Sequence, residues 1–84
     1  MKITENGQKI INYLRQINNA NAIAADIADA TGLTIPQVNG STTALAKKNL
    51  AFRQEAEIVD GESTKMVKFI KLTDTGMTCS FDEE

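Results

Sequence analysis

The sequence predicts a mainly α-helical domain that is completed by one β-hairpin. Apolar residues recur at three- and four-residue spacing up to Asn49, which is the pattern of helices packed on a core. After Asn49 the pattern changes to alternation, and the dipeptide Asp60-Gly61, a strong two-residue turn signal, divides the alternating stretch. A chain of 84 residues forms one domain with one small core.

The first helix is predicted over about residues 4–18. Its apolar stripe consists of Ile10, Ile11, Leu14 and Ile17. Thr4 is placed to cap the N-terminus, and Glu5 lies in the first turn, where the helix dipole favours an acidic side chain. The asparagine-rich run at 18–21 then ends the helical pattern.

A helix-turn-helix is predicted next, from a second helix over about 22–31 and a third over about 35–49. Gly32 suits the left-handed conformation that closes a helix, and Thr34 is placed to cap the third helix. Ala28 is small where the two helices must cross closely. We expect the two helices to be locked together by Ile27, Leu33 and Val38.

The third helix carries further end signals. Pro36 falls in its first turn, where a missing N–H costs nothing. Val38 and Leu45, seven residues apart, mark the buried face. Asn49 can adopt the left-handed conformation that ends the helix.

A two-stranded wing is predicted over about 51–72, with its return strand over about 65–72. Because an isolated hairpin is only marginally stable, we expect its apolar face to pack on the helices. Thr73 could cap a last short turn, and residues 78–84 form a short acidic tail. Three helices followed by a hairpin are the layout of a single winged helix-turn-helix domain over residues 1–84, a three-helix core plus a two-stranded wing.

The composition argues against an enzyme. The sequence has no histidine, which is the commonest general base and metal ligand. Its single cysteine, Cys79, cannot form an internal disulfide or a metal site built on paired cysteines. No paired carboxylates or glycine-rich phosphate loop are present either. We therefore predict no catalytic residues, no metal and no cofactor.

No feature of the sequence points to a membrane. No apolar run approaches the roughly 18 residues that a membrane span needs. The first residues lack the apolar core of a signal peptide. We expect a cytoplasmic protein without a membrane partner.

Charge is unevenly distributed along the chain. Residues 1–53 carry six basic and three acidic side chains, whereas residues 54–84 carry three basic and eight acidic ones. Such an asymmetry can mark a half that faces a polyanion, and chance in a short chain explains it equally well.

Two segments resemble a known family. Residues 38–53, VNGSTTALAKKNLAFR, resemble the recognition helix and first wing strand of MarR-type winged-helix regulators. Residues 72–76, LTDTG, resemble the Leu-Thr-x-x-Gly that follows the wing in that family. The resemblance covers roughly residues 8–77. It implies a dimeric transcription regulator whose recognition helix enters the major groove while the wing touches the adjacent backbone or minor groove.

The sequence also departs from that family. Gly40 and Ala44 stand at exposed positions of the recognition helix where such proteins often carry arginine. Met66, beside Lys65, stands where an arginine usually reaches the minor groove. The wing tip carries the acidic residues Asp60 and Glu62. Because only eight residues follow residue 76, the long flanking dimerisation helix of the family is not expected after the wing.

Sequence-specific binding to duplex DNA is the first functional hypothesis. The candidates for base edges are Gln37, Asn39 and Thr43, because amides can pair bidentately with adenine and hydroxyls adapt to several partners. The candidates for phosphate contacts are Lys47, Lys48, Arg53 and Lys65. A monomer on one half-site would bind weakly, so a repressor of this kind is expected to form a homodimer or a larger assembly.

A protein–protein interaction module is the alternative hypothesis. The face formed by Gln37, Gly40, Thr43 and Ala44 is small, flat and uncharged, which lets another helix or strand approach closely. The acidic wing and tail would suit a basic protein partner. By analogy, a small winged helix of this kind would suit a phage or another mobile element. The sequence leaves both hypotheses open.

Overall fold

Three helices, an antiparallel hairpin and a short fourth helix follow one another in the computed structural model, which describes residues 3–79. The elements are α1 (Glu5–Gln16), α2 (Ala24–Thr31), α3 (Ile35–Lys47), β1 (Ala51–Asp60), β2 (Ser63–Leu72) and α4 (Asp74–Thr78). The predicted winged helix-turn-helix fold is confirmed. Of the predicted tail, Thr78 ends α4, and residues 80–84 lie outside the described residues.

Side-chain caps fix the beginnings of the helices where the sequence predicts them. The Thr4 hydroxyl accepts a hydrogen bond from the Gly7 N–H at 3.1 Å. The Thr34 hydroxyl accepts from the Gln37 N–H at 3.2 Å, and the Gln37 side chain accepts from the Thr34 N–H at 2.9 Å. This reciprocal capping box satisfies two backbone groups that the first turn of α3 leaves without helical partners.

The helices are shorter than predicted at several ends. α1 ends at Gln16 rather than residue 18, because Asn18 and Asn19 adopt left-handed conformations (φ 57° and 58°). α2 begins at Ala24 rather than residue 22, since Ile23 is extended at the N-cap. α3 ends at Lys47 rather than residue 49, and the predicted left-handed Asn49 follows it with φ 59°.

The core lies between the three helices and the base of the wing. Gly32 closes α2 with φ 77°, as predicted, and turns the chain toward α3. The largest fully buried side chains are those of Ile10, Ile11, Leu14, Ile27, Val38, Thr42, Leu50 and Ile70. Among residues 3–79 the buried polar residue is Thr42, and its hydroxyl donates to the Val38 carbonyl at 2.7 Å, so it leaves no unsatisfied group in the core.

The turn of the hairpin differs from the prediction by one residue. Asp60 pairs with Ser63, so the two turn residues are Gly61 and Glu62 rather than Asp60 and Gly61. Gly61, with φ 62°, supplies the positive φ that the first turn position needs. The return strand accordingly starts at Ser63 and not at Lys65.

The expectation that the apolar face of the wing packs on the helices is wrong for most of its length. Ala51, Ile70 and Leu72, at the base, are buried. Phe52 lies on the opposite sheet face and is 45% exposed, and Met66, nearer the tip, is 63% exposed. Strands of 10 residues are about 33 Å long, so they extend past a three-helix core.

Candidate nucleic-acid interface

The third helix presents one uncharged stripe that faces away from the core. Pro36, Gly40 and Thr43 recur at four- and three-residue spacing, and all are exposed. Val38 and Leu45, on the other side of α3, are buried. Helical periodicity therefore places the exposed stripe opposite the core, where a groove of DNA or the surface of a partner can reach it.

The predicted contact residues lie on three elements. Gln37, Asn39, Thr43 and Lys47 are exposed on α3, and Lys48 is exposed immediately after it. Arg53 is half-buried on β1, and Lys65 is exposed on β2. Lys65 pairs with Ile58, which lies two residues before Asp60 at the end of β1. Lys65 is therefore seven residues along β2 from Leu72, which pairs with Ala51 where the wing meets the helices.

The structure brings Arg53 together with two of the predicted base-reading residues. The Arg53 guanidinium donates to the Asn39 backbone carbonyl at 3.0 Å and to the Thr43 hydroxyl at 3.2 Å. The Thr43 hydroxyl itself donates to the Asn39 carbonyl at 3.0 Å. Sequence reasoning missed this cluster, because Arg53 and Asn39 are 14 residues apart on elements of different type and no local pattern links them.

Gln37 has a structural role besides the predicted one. The sequence predicts that it reads bases, but its side-chain oxygen forms the capping box with Thr34. Thr34 supplies an N–H donor, which fixes the Gln37 amide with its oxygen toward the cap. The amide nitrogen makes no hydrogen bond to any residue in the range 3–79.

The lysines of the candidate interface carry uncompensated charge. Within residues 3–79 the ion pair is that of Lys9 with Glu5, at 3.8 Å on α1. Lys47, Lys48 and Lys65 therefore have no acidic partner in the described part of the chain. Such lysines can exchange small counterions for phosphates of DNA at little desolvation cost.

The carboxylates of the wing tip oppose that arrangement. Asp60 precedes the turn, Glu62 is the second turn residue, and both are exposed. They place negative charge at the end of the wing, where it would meet phosphate unfavourably. The helical part of the interface is therefore more favourable to a polyanion than the tip of the wing.

Solved structures of MepR resemble this chain. MepR, a transcription regulator of the Staphylococcus aureus multidrug efflux pump MepA, is 29% identical with a TM-score of 0.68, over 89% of this chain and 50% of its own. The S. aureus MepR–DNA complex is 30% identical with a TM-score of 0.64, over 89% of this chain and 56% of its own. A MepR mutant from a multidrug-resistant S. aureus clinical isolate is 31% identical with a TM-score of 0.68, over 96% of this chain and 59% of its own.

This likeness agrees with the resemblance noted in the sequence, since MepR is a MarR-family winged-helix regulator. The chain spans about half the length of the MepR chains that it matches. No protein-family model matches the sequence, and neither does any curated protein. The neighbours are transcription regulators rather than enzymes, and they do not favour the alternative of a protein-interaction module.

Among residues 3–79, no helix combines the length and the apolar character that crossing a bilayer requires.

Proposed function

We propose that this protein is a winged-helix transcription regulator that binds duplex DNA with α3. The observation that carries the proposal is the exposed polar face of α3, which has Lys47 and Lys48 at its C-terminal end. It is supported by the 30% sequence identity with MepR, a regulator whose structure in complex with DNA is solved. An α-helix fits the major groove of B-DNA, which is about 12 Å wide. In that position the side chains of α3 meet base edges and those at its C-terminal end meet phosphates.

The candidate contacts then divide into two classes. Gln37, Asn39 and Thr43 lie along the exposed part of α3 and are the base-facing candidates. Lys47 and Lys48 at its end, Arg53 on β1 and Lys65 on β2 are the phosphate-facing candidates. With about four such cations in each copy, the electrostatic part of the affinity is modest and falls with salt.

Two copies acting together fit this modest contact set. A single helix on one half-site gives weak binding, whereas a dimer on two half-sites one helical turn apart gains from both. The MarR-type regulators that the sequence resembles also act as dimers. We infer that this chain, too, acts as a homodimer, and light scattering after gel filtration at several concentrations measures its mass with and without duplex.

Fluorescence anisotropy with a random-sequence duplex, titrated at several salt concentrations, tests the proposed function. We expect binding whose log affinity falls linearly with log salt concentration. Replacing Lys47 and Lys48 together by Gln is expected to lower the steepness of that dependence by about two, or about one for each lysine that no longer neutralises a phosphate.

Lys9→Gln is the matched control, because Lys9 is an exposed lysine on α1, paired with Glu5 and outside the candidate interface. It is expected to leave the salt dependence unchanged. Absence of binding near 20 mM salt, or equal effects of the control and the double variant, contradicts the proposal. Selection of a preferred sequence from a randomised duplex pool then separates a specific regulator from a general DNA-binding protein.

A further inference from the structure

The three base-facing candidates of α3 differ in how many of their polar side-chain atoms are already hydrogen-bonded within the protein. The Thr43 hydroxyl is engaged twice, as donor to the Asn39 carbonyl and as acceptor from Arg53. The Gln37 side-chain oxygen is engaged in the capping box. The side-chain amide of Asn39, by contrast, makes no hydrogen bond to any described residue, and Asn39 is exposed.

This difference decides which residue can form both hydrogen bonds of bidentate adenine recognition. Bidentate recognition of adenine requires an amide oxygen that accepts from N6 and an amide nitrogen that donates to N7. The Gln37 oxygen keeps a second lone pair, but the capping box holds its amide against the first turn of α3, and turning the amide freely toward a base would break the bond to Thr34. Asn39 can present both without breaking any bond of the folded protein.

The same contacts give Arg53 a role other than the predicted one. Its guanidinium holds the Asn39 carbonyl and the Thr43 hydroxyl, which lie one helical turn apart on the side of α3 that faces β1. A guanidinium held at two points, by hydrogen bonds that lie at the surface, fixes the turn of α3 that carries the Asn39 side chain. It also joins the wing to the helix, so that the two approach a duplex as one surface.

We propose that Asn39 is the residue through which α3 recognises an adenine, and that Arg53 is a positioning residue for Asn39 rather than a phosphate contact. This inference rests on the proposed DNA-binding function and names the base that it recognises. Gln37 serves the fold by capping α3, where the Thr34 N–H fixes the orientation of its amide. The Thr43 hydroxyl donates to the Asn39 carbonyl and therefore has no spare donor for a base.

Affinities for a selected target and for its single base-pair variants test the role of Asn39. Asn39→Ala is expected to lose the preference for A·T at one base pair, about tenfold to a hundredfold, while preferences elsewhere in the site remain. Gln37→Ala is the matched variant on the same helix. It is expected to retain that preference within about threefold, since Gln37 does not supply the pair of amide contacts.

The salt dependence tests the role of Arg53. Arg53→Gln is expected to weaken the preference for A·T at the same base pair as Asn39→Ala. It is expected to leave the steepness of log affinity against log salt unchanged. Lys47→Gln is expected to do the reverse, lowering that steepness by about one with base preferences intact. Circular dichroism of each variant verifies that its helices are formed.

Each failure has its own signature. A wild-type protein that binds no duplex overturns the proposed function and this inference together. If the wild-type protein has a defined target but Asn39→Ala keeps every base preference, only the assignment of Asn39 is overturned. The same holds if Gln37→Ala, and not Asn39→Ala, loses the preference for an adenine. An Arg53→Gln variant that lowers the salt dependence by about one shows Arg53 to be a phosphate contact.

Discussion

Close packing around residue 76 explains why the Leu-Thr-x-x-Gly motif has a glycine there. A Cβ at Gly76 would overlap the backbone carbonyl oxygen of Leu50 and would lie 3.3 Å from the Leu72 Cβ. The Gly76 N–H also binds the Thr73 hydroxyl at 3.0 Å, so α4 cannot move away without losing its cap. We expect Gly76→Ala to lower the free energy of unfolding by about 1–3 kcal/mol, measured by urea denaturation.

Gly40, unlike Gly76, lies in open space. It lies inside α3, and a Cβ there would have no atom within 4 Å. Glycine in a helix interior costs about 1 kcal/mol relative to alanine, so Gly40→Ala is expected to raise the free energy of unfolding by about that amount. If α3 approaches the base edges closely at Gly40, the same variant weakens duplex binding measured by anisotropy. A variant that is stabilised and binds as tightly as the wild type contradicts close approach at this position.

Among the contacts between elements, the Asn19 side chain joins the segment after α1 to the end of β2. The Asn19 side chain accepts from the Leu72 N–H at 2.8 Å and donates to the Leu72 carbonyl at 3.1 Å, in the way that a neighbouring strand would. Asn19 also has φ 58°. Asn19→Ala is expected to lower the free energy of unfolding by about 2–4 kcal/mol, because it leaves two polar groups of Leu72 unpaired and strains the backbone.

Asn18→Ala is the control for that prediction. Asn18 has nearly the same conformation, φ 57°, but it is exposed and its side chain makes no hydrogen bond to the described residues. Its replacement carries the backbone strain alone, about 1 kcal/mol. Equal losses in urea denaturation of the two variants would mean that the amide pairing with Leu72 contributes nothing.

The sequence separation between a residue and its hydrogen-bond partner explains which features of the fold the sequence could predict. Thr4, Gly32 and Thr34 act on backbone groups within four residues of themselves, so their effect is visible in a short window of sequence. Asn19 and Arg53 act across 53 and 14 residues, and nothing in their neighbourhoods identifies the partner. For the site, residue type and helical spacing predicted the exposed side chains, but not which of their polar atoms the fold itself engages.

In a molecule that measures 49 × 25 × 22 Å, the lysines at the end of α3 and the carboxylates of the wing tip lie on different elements. Lys47 and Lys48 lie at the end of α3, whereas the hairpin carries Asp60 and Glu62 at its tip. A duplex that meets α3 and also reaches the wing tip would gain attraction at one point and repulsion at the other. The affinity of the intact domain then depends on how closely the tip approaches the phosphates.

Neutralising the wing tip measures that approach. The double variant Asp60→Asn, Glu62→Gln removes two negative charges while Gly61, which supplies the positive φ of the turn, stays in place. If the tip lies beside the duplex, anisotropy at low salt is expected to show about twofold to tenfold tighter binding, and the gain shrinks as salt screens the charges. Glu5→Gln, which removes an exposed charge on α1, is the control and is expected to change affinity little. A gain that the control reproduces would reflect net charge alone, and no gain at any salt concentration would place the tip more than a Debye length, about 10 Å at 0.1 M, from the phosphates.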